Sequence, residues 1–356
     1  MKASVNDVAE RAGVSVSTVS RAFTRPELVS ERTRKKVLQV AEELNFSVSR
    51  SAAALKRGQT FRIALLSGGH IDWFSAHILE GLNSVLHETG YDFSIYAITH
   101  DEERARFFEQ LPVRRNADAI IVSSFNLNRD ETERLRAMGI PVVGINVVST
   151  DGFDASIGID DTSAIQMLVR HLVSLGHRRI AYLYEEAISP LRFSSYRRVT
   201  GFTDLCDELE GVSGTAIKVG NGDDCINAAV TALFGSSEPP TAICVHQDSW
   251  AIPLFLRLPQ YGIRIPEDLS VTGFDDSDFA EEVGLTTVRQ RPRDMAATAA
   301  RMALDLIDGK TLETPHITAP VQLMLRHSTA ARASERDGSR HAEECGKPPP
   351  KVCRIP

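Results

Sequence analysis

Cysteine is scarce. The 356-residue chain has five (Cys206, Cys225, Cys244, Cys345 and Cys353), an odd set without a C-x-x-C pair. That argues against a disulfide framework and for reduced thiols in a cytoplasmic protein. Long apolar runs are missing too: none reaches the roughly 18–20 residues of a membrane span, so no membrane partner is expected. The opening MKASVNDVAERAGVSVS holds no apolar h-region of a secretory leader. Catalytic motifs are equally thin. No Gly-x-Ser-x-Gly elbow seats a hydrolase nucleophile, and no Walker A loop cradles a nucleotide. Gly220-Asn221-Gly222 follows an apolar run, but Cys225 stands where the third glycine of a dinucleotide fingerprint belongs. Asp275 and Asp276 are neighbours on one loop and do not flank a bond as glycosidase carboxylates do. The ten histidines are scattered without an H-E-x-x-H, and His341, Cys345 and Cys353 fall on a polar tail. Neither an enzyme, a metal site nor a cofactor is expected.

What is present is ordinary globular material in an uneven arrangement. Hydrophobic residues make up 42% and charged residues 24%, enough for two or three folded units with real cores. Residues 1–60 carry eleven Lys/Arg against six Asp/Glu, a net +5, while the remainder carries 29 against 41, a net −12. A basic head on an acidic body is the electrostatic outline of a small nucleic-acid-binding unit fused to something else.

In the head, Ser4 caps a short helix with Asp7 three residues on, and Val5, Val8, Ala9 and Ala12 share one face. Gly13 ends it where a positive φ is cheapest. Ser15 caps a second helix, Val16 to Thr24, with Val19 and Ala22 inward, and Ser30 caps a third to about Leu44. Two helices joined by so short a glycine turn form a helix-turn-helix. The second helix exposes Val16, Ser17, Ser20 and Arg21, small or hydrogen-bonding types that can approach base edges in a major groove. Thr18, on another side, suits phosphate equally. The competing reading is a three-helix protein-binding module with a solvated polar face.

The run Val5-Asn6-Asp7-Val8-Ala9-Glu10-Arg11-Ala12-Gly13-Val14-Ser15-Val16-Ser17-Thr18-Val19-Ser20-Arg21 resembles the opening of lac repressor (LacI/GalR) family regulators almost position by position. The likeness continues through Val29-Ser30-Glu31-Arg32-Thr33-Arg34-Lys35-Lys36-Val37 to Glu43-Leu44-Asn45-Phe46. It implies a hinge helix that forms on cognate DNA at Ser49-Arg50-Ser51-Ala52-Ala53-Ala54-Leu55, with Leu55 wedged into the minor groove. Ser30, Arg50 and Ala52 join the DNA-facing set. Seven residues are too few for a stable lone helix, which suits folding on binding. Val48 and Ser49 stand where the family usually has Pro and Asn, so the hinge entry is less defined than the head.

From Phe61, apolar strands alternate with amphipathic helices, which means parallel sheets covered on both faces. Expected strands are 63–66, 93–97, 119–123, 142–145, 180–183, 216–219, 242–245 and 270–273, with one more near 321–325. Expected helices are 75–89, 102–111, 130–138, 162–175, 195–208, 223–234, 249–258 and 294–308. The resemblance extends over Gly158-Ile159-Asp160-Asp161, Leu172-Val173-Ser174-Leu175-Gly176-His177-Arg178-Arg179, Arg198-Val199-Thr200-Gly201-Phe202 and Ile265-Pro266-Glu267-Asp268 through Gly273-Phe274-Asp275-Asp276. It implies an α/β periplasmic-binding-protein-like body of two doubly wound parallel-sheet lobes. The expected organisation is a helix-turn-helix domain at 1–46, a hinge at 47–60 and a body at 61–330. Within the body, one lobe takes about 61–158 plus 290–317, and the other about 159–289 plus 318–330. The polar, proline-rich 331–356 is expected to be a disordered tail, and it has no leucine heptads to drive tetramers.

Ligands of such folds sit at the carboxyl ends of strands and between lobes. Trp73 and Phe74 follow the first strand; an indole face suits a sugar ring or a base, or else caps a core. The resemblance places effector contacts at Asn146, Arg192, Arg198 and Asp275, the last as acceptor for paired hydroxyls, with Asp276 structural. Gln247-Asp248 stands where the family commonly has Asn-Asp; Gln247 joins the expected effector contacts, its longer polar arm arguing for a different or smaller effector, and Asp248 is a weaker candidate. The resulting expectation is a homodimeric repressor on a palindromic double-stranded DNA operator, controlled by a small-molecule effector. A sugar or glycoside comes first and a purine nucleobase second. Two other readings remain: a sugar-binding protein without a regulatory role, and a DNA-binding regulator that no small molecule controls.

Overall fold

The computed structural model describes residues 3–46, 59–68, 71–185, 194–220, 225–235 and 237–332. The chain divides into two units, Met1–Arg62 with Val113–Asp118, and Ile63–Pro112 with Ala119–Pro356. The expectations for the hinge at 47–58, including Arg50, Ala52 and Leu55, lie outside the described residues, as do those for Arg192 and for the tail from 333.

In the first unit, α1 (Val5–Ala12), α2 (Val16–Thr24) and α3 (Glu31–Glu43) follow one another with a 3-10 turn at Pro26–Leu28. Ser4 and Asp7 form a reciprocal capping box, with the Ser4 amide donating to Asp7 Oδ2 at 2.7 Å. Gly13 takes φ 63°, the left-handed turn that glycine adopts without a Cβ penalty. Val8, Ala9, Ala12, Val19, Ala22, Val37, Val40 and Ala41 form its core. Phe23 and Phe46 meet edge to face at 6.2 Å, tying the end of α3 back to α2. Asp118 belongs to this unit because its carboxylate accepts the Thr60 and Phe61 amides at 2.7 and 2.8 Å.

The second unit begins with β1 (Arg62–Gly68), α4 (Trp73–Thr89), β2 (Asp92–Ile98), α5 (Asp101–Gln110), β3 (Ala119–Ser123), α6 (Arg129–Arg136), β4 (Val142–Ile145) and β5 (Ala155–Gly158). It continues through α7 (Asp161–Ser174), β6 (Arg179–Glu185), α8 (Ser194–Glu208), β7 (Ser213–Val219), α9 (Cys225–Phe234), β8 (Ala242–Val245), α10 (Asp248–Arg257) and β9 (Ser270–Thr272). It closes with β10 (Thr287–Arg289), α11 (Pro292–Ile307), β11 (His316–Thr318) and β12 (Gln322–Met324). One sheet runs β11-β5-β4-β3-β1-β2 and another β7-β6-β8-β9, while β10 and β12 pair antiparallel. Registers such as Ile63↔Ala119 and Ile180↔Ala242 are parallel, as strands buried on both faces require.

β5, β10 and β11 are absent from the sequence expectations. Their apolar residues are isolated between small or polar ones, as in Ala-Ser-Ile-Gly, Thr-Val-Arg and His-Ile-Thr, so no apolar run marks them. The chain returns to the first sheet late, through α11 and β11, and α11 packs on α4. The two helices approach so closely that a Cβ on Gly81 would lie 2.2 Å from the Arg293 carbonyl oxygen and 2.7 Å from Ala296 Cβ. Cys206 and Cys244 are free and buried; burial pushes their thiols up to about 11 and about 12, so both stay protonated at neutral pH. Among the described residues, no helix is long and apolar enough to cross a membrane.

Candidate functional site

The first unit presents one face of α2. Val16 is 42% exposed, and Ser17 and Arg21 are exposed beside it, with Ser20 half-buried. Ser15 organises the start of this helix: its hydroxyl accepts the Thr18 amide at 3.1 Å and lies 2.8 Å from both the Ser17 and Thr18 hydroxyls. That network orients Ser17 and Thr18 as well as capping the helix. Ser30 is exposed and accepts the Thr33 amide at 3.3 Å. An exposed valine on a helix whose neighbours are small or cationic suits a thymine methyl beside hydrogen-bonding base edges. Exchanging Val16 and Ser17 for other small residues is expected to change preference among double-stranded DNA sequences by about 1–3 kcal/mol per base pair read. Thermal stability and ligand affinity should be unchanged; electrophoretic shifts on a panel of half-site variants measure the preference.

The second unit gathers polar groups at the carboxyl ends of its strands. Asn146 follows β4 with φ 51°, and Asp275 and Asp276 follow β9 with φ 122° and 57°. Left-handed backbone at non-glycine residues persists where surrounding structure holds it, commonly at binding sites. Here the Asp275 amide donates to the Val288 carbonyl at 2.8 Å and its carbonyl accepts from Gln290 N at 3.3 Å.

Arg198 forms the floor. Its side chain is almost wholly buried; Nε donates to Asp161 Oδ1 at 2.8 Å and Nη1 to the His246 carbonyl at 2.6 Å, with the guanidinium 3.8 Å from the Phe274 ring centroid. Burial disfavours its charge, but Asp161, Tyr182 and Asp275 outweigh that and hold the guanidinium charged. Asp275 Oδ1 accepts Gln290 Nε2 at 2.6 Å. Burial first, and the Asp248 charge second, push the Asp275 carboxyl well above the usual range. The Tyr182 hydroxyl is buried within electrostatic reach of Arg198, Asp161 and Asp275. It and Gln290 Oε1 have no hydrogen-bond partner among the described residues. A buried donor or acceptor left unmade costs about 1–3 kcal/mol, so both atoms invite a ligand.

Other expected residues sit differently. Asp276 is structural: Arg289 Nε and Arg326 Nη2 reach it at 2.5 and 2.6 Å. Asp248 is fully buried behind Asp275, where its two oxygens accept the Ser277 amide and the Thr287 hydroxyl, each at 2.8 Å. Burial pushes its carboxyl up to about 6. Gln247 occupies the N-cap position of α10 and is half-buried. Phe74 packs against the apolar core. Trp73 lies against His77 with ring centroids 4.4 Å apart, and its Nε1–H donates to Asp278 Oδ1 at 3.2 Å. The burial of His246 drives its imidazole down to about 3, so it is neutral at any ordinary pH.

Asp161, Tyr182, His246, Phe274 and Gln290 had no place among the sequence-derived site residues. Tyr182 is a mid-strand aromatic in an apolar run, which reads as core. Gln290 is fifteen positions from its partner Asp275, and only the β10 crossing brings them together.

Comparison with known proteins places this geometry in context. Residues 4–49 match the description "Bacterial regulatory proteins, lacI family", and residues 169–329 match a periplasmic binding protein-like domain. The HTH-type transcriptional repressor PurR of Vibrio atlanticus (strain LGP32) is 30% identical over 321 residues, covering 87% of this chain and 94% of the relative. Among solved structures, a lac repressor dimer bound to operator and the anti-inducer ONPF is similar at TM-score 0.79 and 25% identity, covering 93% of this chain and all of that one. A transcriptional regulator CelR–cellobiose complex is similar at TM-score 0.65 and 25% identity, covering 92% and 99%.

Proposed function

The chain belongs to the lacI family of bacterial regulatory proteins and is a DNA-binding transcriptional repressor rather than an enzyme; from that premise we propose that it acts as a homodimer on a palindromic operator. A small uncharged purine-type molecule bound between the two sheets of the body sets its operator affinity. One helix-turn-helix reads only a few base pairs, so useful specificity asks for two heads with half-sites about one helical turn apart. Leu256, Tyr261 and Phe279, at 58%, 42% and 67% exposure on the body, are apolar surface that a second copy would cover.

The observation that carries the effector reading is the buried cluster of Arg198, Asp275, Gln290 and Tyr182, two of whose polar atoms lack partners among the described residues. A purine edge supplies alternating donors and acceptors to such a set, and the similarity to PurR favours that class. A second reading, a sugar, is supported by the Asp275 carboxyl, which can accept one hydroxyl and, protonated, donate to its neighbour, and by the likeness to the CelR–cellobiose complex. Either ligand acts only by its differential affinity for two arrangements of the body.

The test is a panel of adenine, guanine, adenosine, ribose and cellobiose in thermal unfolding and operator anisotropy. A purine at a hundredfold excess over its Kd should add about 2.7 kcal/mol of stability and change operator affinity. A response to ribose or cellobiose alone selects the sugar reading. No response across the panel at millimolar concentrations removes both.

A further inference from the structure

The floor built on Arg198 belongs to the lobe of the second sheet, yet two hydrogen-bonded crossings join that lobe to the lobe of the first sheet. One starts at Trp73, the first residue of α4, whose indole N–H reaches Asp278 Oδ1 on the segment after β9, 3.2 Å away. His77, one turn along, donates from Nδ1 to the Trp73 carbonyl at 2.9 Å, and its Nε2 stands 3.8 Å from the same Asp278 oxygen.

The other starts at Arg197 on α8, whose Nη2–H donates to the carbonyl of Val148 on the segment after β4. That acceptor is held firmly. The Val148 amide donates to Asn126 Oδ1 at 3.1 Å, and the Asn126 carbonyl accepts Arg104 Nη2 at 2.7 Å. Arg104 in turn grips Glu131 at 2.5 and 2.6 Å, with both side chains at least 85% buried. A bidentate charge-assisted pair of this kind fixes geometry as well as adding energy.

Arg197 and Arg198 are consecutive, so about 100° of helix rotation separates them. Arg198 turns into the floor while Arg197, exposed, reaches across. The two crossings share no residue and leave Arg198, Asp275, Tyr182 and Gln290 untouched.

We propose that Arg197 and Asp278 are positioning residues that hold the two lobes closed on each other at separate crossings, so that each stabilises the other's contact. This rests on the effector reading only for its consequence: the closed fraction multiplies apparent ligand affinity. The closure itself can be measured without a ligand. A single hydrogen bond of this type shifts such an equilibrium by about two- to tenfold.

Trp73 is one of two tryptophans, the other being Trp250. In the full chain carrying W250F, acrylamide quenching and the emission maximum therefore report Trp73 alone. R197L, on an element that does not carry Trp73, is expected to raise the quenching constant at least twofold and shift emission to the red, with the thermal midpoint unchanged. R197K keeps a donor and should restore both readings, while D278A, which removes the acceptor of the Trp73 indole N–H, marks the released value. The proposal is overturned if R197L leaves quenching at the parent value while D278A raises it, or if R197K behaves as R197L does. Coupling that persists when no purine or sugar binds supports the closure and counts against the effector reading alone.

Discussion

Arg198→Ala is expected to destabilise the body by about 3–5 kcal/mol and to abolish its response to any cleft ligand. The first effect follows from what is left behind. Asp161 has only 4% of its side chain exposed and Arg198 only 8%, so deleting the guanidinium strands a buried carboxylate without its counter-charge. The His246 carbonyl and the face of Phe274 lose their partner as well. The second effect follows from Arg198 being the fixed cation beside Asp275 and Tyr182. The two effects separate in a double substitution. Replacing a whole buried pair with apolar groups of similar volume is often neutral or stabilising, so R198M combined with D161L should recover most of the stability and none of the ligand response. Urea unfolding of the single and double variants measures the first, and ligand-induced thermal shift the second. A single variant within 1 kcal/mol of the parent would remove the buried pair as a stabilising element.

Asp248→Asn should remove a pH dependence that runs opposite to ordinary acid denaturation. Burial raises the Asp248 carboxyl from 3.8 to about 6, so the folded chain binds this proton more tightly than the unfolded one. Stability from this group is fully present below about pH 4 and is lost as pH rises through 6. The span of about two pKa units corresponds to about 3 kcal/mol. His246, driven down to about 3, works the other way: its contribution is present above its ordinary value and is lost as pH falls. Comparing parent and variant cancels the histidine, which both share. The parent's advantage over D248N should therefore shrink by about 3 kcal/mol between pH 4 and pH 7 in urea titrations. A constant difference would mean that Asp248 stays ionised throughout. Burial is the main cause at Asp248, with the Asp276 charge adding to it, and the Asp248 charge in turn raises the Asp275 carboxyl.

The head is legible in its sequence because its determinants are local. Ser4 and Asp7, Ser15 and Thr18, Ser30 and Thr33 lie three residues apart and find each other across one helical turn. Gly13 needs only its own φ. Most of the body's strands and helices are legible for a similar reason, since runs of four or more apolar residues alternating with helical periods impose parallel sheets. β5, β10 and β11 are not, because the apolar residues they carry, Ala155 and Ile157, Val288, and Ile317, form no run.

The candidate site divides the same way. Asp275 and Arg198 could be picked out because the resemblance reaches those positions, with Asp275 also lying just past a strand end, where ligands of such folds sit. Asp248 looked like a weaker candidate of the same kind, and its hydrogen bonds to Ser277 and Thr287 make it a brace behind Asp275. Trp73 illustrates the limit of chemical type as a guide. Its ring meets His77 and its N–H crosses to Asp278, a contact between residues 205 positions apart that no local pattern encodes.

Caps, turns, helix faces and the charge contrast between head and body were thus settled by the chain's order alone, because each depends on neighbours within a few residues. The pairing of Arg198 with Asp161, the unmet hydrogen bonds of Tyr182 and Gln290, and the crossings at Asp278 and Val148 were decided by the folded body. Burial and long-range approach create those interactions, and both exist only once two sheets and the late return of α11 have brought distant segments together.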